Sequence, residues 1–122
     1  HLHSSHSVAL STLPVEETAN FLPPLTAYSI MRLGKVALLP YFRPGDKAVA
    51  QAIRDLEGRH SAVMLAKHGP VVAGTSLEEA VFAIEEFEET SKLALMLRGM
   101  PAFGLDEAQV RDIVTYFQVD LN

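Results

Sequence analysis

Two short apolar runs, SAVMLA and PVVAG, are joined by the corner KHG and lead straight into Thr75-Ser76-Leu77-Glu78-Glu79. That last stretch offers two overlapping capping boxes, Thr75 with Glu78 and Ser76 with Glu79. In each, hydroxyl and carboxylate satisfy free N–H groups at a helix start. Behind them Ala80, Val81, Ile84, Phe87, Ala94, Leu95 and Leu97 recur at helical spacing, up to Gly99. A long helix with one apolar stripe must lie on an apolar surface. The two preceding runs, read as adjacent strands, supply it.

The rest of the chain repeats the alternation of short strand and helix signals. SSHSVALSTL suits a short helix with serine N-caps, and Pro23-Pro24 close the loop VEETANFLPP. LTAYSIMRLG reads as a helix stopped by Gly34, and KVALLPY as a buried strand ended by Pro40. The turn YFRPGDK places Asp46 to cap a helix over Lys47–Leu56, carrying Val49, Ile53 and Leu56. A final helix over Asp106–Phe117 presents Val110, Ile113, Val114 and Phe117. With no internal repeat and no linker, the pattern predicts one α/β or α+β unit with three or more strands covered by helices.

Composition narrows the function. The 122 residues hold 15 acidic against 10 Lys and Arg side chains, a formal charge of −5 with no basic cluster, which argues against nucleic-acid and anionic-membrane partners. The apolar runs are too short to span a bilayer. With no cysteine, thiolate metal sites and disulfides are excluded, and a cytoplasmic setting is expected.

Histidines carry the sharpest chemical signal. The chain opens HLHSSHSVAL. On a strand, His1 and His3 would share one face, within reach of a single ion of zinc's size. His68, between an apolar strand and Gly69-Pro70, is the candidate third ligand. A surface pair or the remnant of an affinity tag are the plain alternatives for HLH. His6 suits a substrate contact or a partner behind the ligands better than a fourth ligand, since a catalytic zinc keeps an open position. His60, in the polar stretch EGRH, is expected on the surface.

HLHSSHSVALS, followed some sixty residues later by LAKHGPVVAGTSLEEA, resembles the class II aldolase/adducin family. PPLTAYSIMRLGKVALLPYFRPGDK and EEFEETSKLALML resemble its 3-oxo-tetronate 4-phosphate decarboxylase branch, with Ala27 and Phe42 where Pro and Tyr are expected. The resemblance implies a three-layer α/β/α fold with a mostly antiparallel central sheet, of which residues 1–122 are the C-terminal portion. The catalytic carboxylate and the phosphate-cradling loops are then expected upstream of His1.

In function it implies a metal-dependent carbon–carbon lyase that decarboxylates a phosphorylated 3-oxo sugar acid through a metal-stabilised enediolate. A sugar-phosphate aldolase or 4-epimerase, or a non-catalytic adducin-like oligomerisation module, are the alternatives. His1, His3 and His68 would hold Zn2+, with Mn2+, Fe2+ or Co2+ also compatible with imidazole ligands. Tyr28 matches a tyrosine that handles a proton in a neighbouring subunit's site, which requires a homotetramer; an interface or core aromatic is its other reading. Tyr41 and Arg43 are candidate substrate contacts. Arg43 suits a carboxylate or phosphate, and equally a structural pairing with Asp46. Tyr116 is a lesser candidate on a mobile tail.

Overall fold

The computed structural model describes residues 1–121; Asn122, the last residue of the expected unit, lies outside them. The elements run α1 (Ser5–Ser11), α2 (Ala27–Leu33), β1 (Val36–Leu39), α3 (Ala48–Arg54), β2 (Ala62–Leu65), β3 (Gly69–Val72), α4 (Leu77–Leu97) and α5 (Glu107–Phe117).

The three strands form one sheet in the order β1-β2-β3. Side chains alternate across it, and both faces are covered. Val36, Ala62 and Met64 meet Leu10 of α1, Leu33 of α2 and Ala83 and Phe87 of α4. Ala37, Leu39, Val63 and Leu65 face the other way, onto Val49, Ala52 and Leu56 in and beside α3. The result is the expected three-layer α/β/α arrangement. Burial on both faces is why these strands read as unbroken apolar runs instead of alternating ones.

The expected mostly antiparallel sheet is mixed in these residues. β1 pairs parallel with β2, Val36 opposite Ala62 through Leu39 opposite Leu65. β2 pairs antiparallel with β3, Ala62 opposite Val72 through Leu65 opposite Gly69. Connection length decides this: the β1–β2 link carries α3 and can cross over, whereas Ala66–His68 permits only a hairpin.

Local signals place most helix ends. The Thr26 hydroxyl accepts the Ser29 N–H, and Gly34, at φ 60°, ends α2. Asp46, one residue before the N-cap Lys47, accepts the Ala48 N–H on Oδ1 at 2.9 Å, so it meets the first N–H of α3 from outside the cap position. Of the two boxes anticipated at α4, the structure forms one cap. Ser76 Oγ accepts from Glu79 N at 3.1 Å, while the Thr75 hydroxyl donates to the Glu79 carboxylate at 2.6 Å. Asp106 and Gln109 make a full capping box at α5.

Five expectations are corrected. Residues 1–4 carry no strand, so His1 and His3 lie on an irregular segment leading into α1. Ser4 is the N-cap of α1 but its side chain makes no capping bond. On α4 the buried face is Ala83, Ile84, Phe87, Thr90 and Ser91, whereas Val81 is exposed; Phe117 of α5 is likewise half exposed. His60 is not a free surface residue: it is half-buried, and its Nδ1 is enclosed without a hydrogen-bond partner.

Candidate metal centre

β2 and β3 turn through Ala66-Lys67-His68, closed by the His68 N–H donating to the Leu65 carbonyl at 3.0 Å. Lys67 holds φ 59° there, a left-handed conformation uncommon for a residue with a side chain. Its N–H is fixed by the Ser11 hydroxyl at 2.9 Å, which in turn donates to the Val8 carbonyl. The C-terminal end of α1 thus pins the corner that presents His68.

The opening segment runs past the same corner. An added Cβ at Gly69 would collide with the Leu2 carbonyl and come within 3.3 Å of the His1 ring. Glycine is required here because two backbones pass so close. The three imidazoles that result form a near-equilateral cluster. Ring centroids are 5.2 Å apart for His1–His3, 4.9 Å for His1–His68 and 5.0 Å for His3–His68. One nitrogen from each lies within 4.8 Å of the others.

The donor set fits a divalent cation. His1 Nδ1 donates to the Pro70 carbonyl at 2.8 Å, which leaves its Nε2 lone pair facing the cluster. That Nε2 is 3.3 Å from His68 Nε2. Two nitrogens each ~2.1 Å from a tetrahedral ion lie about 3.4 Å apart. A proton on one of the two bridges the same gap, and a cation entering there would displace it. With no carboxylate in the cluster, neutral imidazoles leave a bound ion its full charge.

Beside the cluster an open cleft of about 600 Å³ is lined by His3, His68, Tyr41, Lys67 and Ser5. Tyr41, a candidate substrate contact, lines the same cleft as these two imidazoles. Lys67 was missed by the sequence reading, although the Lys-His-Gly corner was its signal. Arg43 instead reaches the Pro44 carbonyl at 3.5 Å, and Asp46 is engaged with the first N–H of α3.

Two candidates stand apart from the cluster. Tyr28 is 60 % exposed on α2, in a shallow hollow with Arg32, Phe82, Glu85, Glu86 and Glu89; Arg32 stacks on Phe82 at 5.2 Å. Tyr116 is exposed at the end of α5, edge-on to Phe117.

His6 is directed to α4. Its backbone N–H and ring Nδ1 donate to Glu88 Oε2 at 3.1 and 3.0 Å, and the Ser7 N–H and hydroxyl donate to Oε1 at 2.9 and 3.0 Å. Burial pushes the Glu88 carboxyl up, but these four bonds outweigh it and bring it below the usual carboxylate range. Nothing in the local sequence announces this pairing across 82 positions.

A separate hollow of about 550 Å³ between α2 and α5, lined by Leu22, Ile30, Leu33, Val110 and Val114, contains none of the candidate residues. No helix among the described residues is long and apolar enough to cross a membrane.

Comparison with known proteins follows the same lines. Residues 1–95 match the Class II Aldolase and Adducin N-terminal domain. The chain is 45% identical over 113 residues to 3-oxo-tetronate 4-phosphate decarboxylase of Escherichia coli, covering 93% of this chain and 53% of that protein. The crystal structure of YgbL from Escherichia coli, described as an aldolase, epimerase or decarboxylase, superposes with a TM-score of 0.88 at 45% identity, over 93% of this chain and 55% of that one. L-fuculose 1-phosphate aldolase superposes at 0.74 and 27% identity, over 97% and 54%. The chain spans about half the length of these relatives. On the match of residues 1–95, the chain belongs to the class II aldolase and adducin family.

Proposed function

We propose that this chain is the metal-binding, C-terminal portion of a zinc-dependent lyase that decarboxylates a phosphorylated 3-oxo sugar acid, a 3-oxo-tetronate 4-phosphate. The observation that carries the reading is the convergence of His1, His3 and His68, with the His1 tautomer set by Pro70. Its support on the side of substrate is the 45% identity to the Escherichia coli decarboxylase.

His1, His3 and His68 would hold a divalent cation, which would supply a Lewis acid for a substrate carbonyl. The chain's own residues do the rest. Tyr41 and Lys67 border the cleft beside the imidazoles and bind substrate, Lys67 as a point charge toward phosphate or carboxylate. Arg43, exposed two residues beyond Tyr41, joins them by leaving the Pro44 carbonyl. His6 acts from behind, through Glu88. When the carboxylate departs as carbon dioxide, its bonding pair stays on the carbon beside the carbonyl, and that carbon takes a proton. Tyr28 is the donor. Because it faces Arg32 and Phe82 and not the cleft, it serves the site of another copy, in a cytoplasmic homotetramer.

The experiment is to incubate the full-length gene product with 3-oxo-tetronate 4-phosphate and, separately, with a ketose 1-phosphate, and to measure carbon dioxide against free aldehyde. Carbon dioxide supports the proposal. Aldehyde from a ketose 1-phosphate would favour the aldolase reading, to which the 0.74 superposition on L-fuculose 1-phosphate aldolase lends weight. No turnover together with no bound metal would leave an adducin-like oligomerisation module.

A further inference from the structure

We infer that Glu88 is a positioning residue for the imidazole cluster: from α4 it caps the N-terminus of α1, and so sets where His1 and His3 stand relative to His68. The inference rests on the reading of the cluster as a metal site.

The start of α1 lacks the cap its sequence offers, since the Ser4 side chain makes no capping bond. The first N–H groups of a helix need acceptors, and here two of them, on His6 and Ser7, are met by the two oxygens of one distant carboxylate. The His6 ring and the Ser7 hydroxyl occupy the remaining acceptor positions. Ser7 is fully buried, with Ser91 Oγ 3.3 Å from its Oγ; the single Ser91 proton is shared with the Phe87 carbonyl at 2.8 Å, so the Glu88 carboxylate is what holds this point.

What this fixes lies immediately upstream. Only Ser4 separates His3 from the first residue of α1. The other end of the same helix carries Ser11, which holds the left-handed Lys67 beside His68. α1 is therefore a strut joining the two halves of the cluster, and Glu88 determines its seating. A carboxamide in place of the carboxylate has one acceptor oxygen instead of two, so one N–H of α1 loses its partner and the strut shifts.

The test uses Co2+ as the probe, because its visible absorption reports ligand geometry independently of turnover. The chain should bind Co2+ and show a visible band. Glu88→Gln should bind at least ~10-fold more weakly, as for other residues that orient metal ligands, with an altered band. Thr90→Ala, a fully buried α4 position whose hydroxyl stays with Glu86 on the same helix, should lower the melting temperature and leave the band unchanged. An unaltered band and affinity in Glu88→Gln would overturn the inference, as would equal losses in Thr90→Ala. If Glu88→Gln fails to fold, Ser7→Ala removes one bond to the same carboxylate and should weaken Co2+ severalfold; no change overturns the inference. Absence of Co2+ binding by the unaltered chain would overturn the metal-site reading itself, and this inference with it.

Discussion

One strand, β2, carries a histidine near each end, and the two have opposite fates. His68, just past Leu65, sits with two other imidazoles. His60, just before Ala62, is half-buried with its Nδ1 enclosed and unpartnered. Their immediate neighbours alone do not separate them, since each is flanked by a basic residue and a small one, Arg59-His60-Ser61 and Lys67-His68-Gly69. The difference comes from what the fold brings alongside. At one end a second backbone passes over Gly69 and delivers two more rings. At the other, no hydrogen-bond partner among the described residues meets His60 Nδ1. An imidazole joins a cluster when distant chain is delivered to it.

The largest effect expected from breaking this contrast is at His68. His68→Ala leaves two imidazoles on an exposed segment and removes the one fixed by the hairpin. Metal binding, followed by zinc titration calorimetry, should fall below detection, while circular dichroism keeps the helical signal. Retained stoichiometric zinc would remove His68 from the ligand set and sink the proposed chemistry.

Next is Gly69. Its substitution strains no φ, since the residue is not in the left-handed region, so Gly69→Ala acts only through the collision with Leu2. The opening segment is exposed and lacks regular structure, and it yields before the paired hairpin does. We expect zinc affinity to fall about 100-fold, at the upper end for residues that orient ligands, with a far smaller change in the unfolding midpoint. A loss of stability as large as the loss of affinity would show that the hairpin had yielded instead.

A smaller effect is expected on acidification. Glu88 titrates below the usual range in the folded chain, so the unfolded chain binds this proton first. The stabilisation is present above the ordinary carboxylate pKa and is lost as pH falls through the lower folded value. Urea midpoints measured from neutrality down to pH 3 should drop, and drop less in Glu88→Gln. Parallel curves would mean that other carboxylates dominate the acid limb.

How far the sequence could be read follows from the distance over which each interaction acts. β1, β2 and β3 were legible because burial on both faces leaves continuous apolar runs, and α4 because Ser76 and Glu79 are three residues apart. The imidazole cluster was legible from His1, His3 and the Lys-His-Gly corner, as a set of residue types suited to one ion. Which backbone conformation presents them was not: the pair sits on an irregular segment, not on a strand. The Glu88 cap on α1 and the Leu2–Gly69 approach couple residues 82 and 67 positions apart, or nearly so, and leave no periodicity behind. The parallel β1–β2 pairing is invisible in the strands themselves, since an apolar pattern is the same in either direction; the helix-bearing connection between them was its one signal.

The smallest effect, and the one that sharpens the comparison most, is at His60. An enclosed polar atom without a partner costs about 1–3 kcal/mol relative to a satisfied one. His60→Leu removes the nitrogen and keeps an apolar side chain against the start of β2, where Ala62 is buried. We expect a melting temperature a few degrees higher, and zinc affinity indistinguishable from that of the unaltered chain, because the substitution lies at the far end of β2 from the cluster. A fall in stability would mean that the ring's packing outweighs its unpaired nitrogen. A fall in zinc affinity would carry a larger lesson: the two ends of β2 would be coupled through the strand, and the contrast between its histidines would be one of degree.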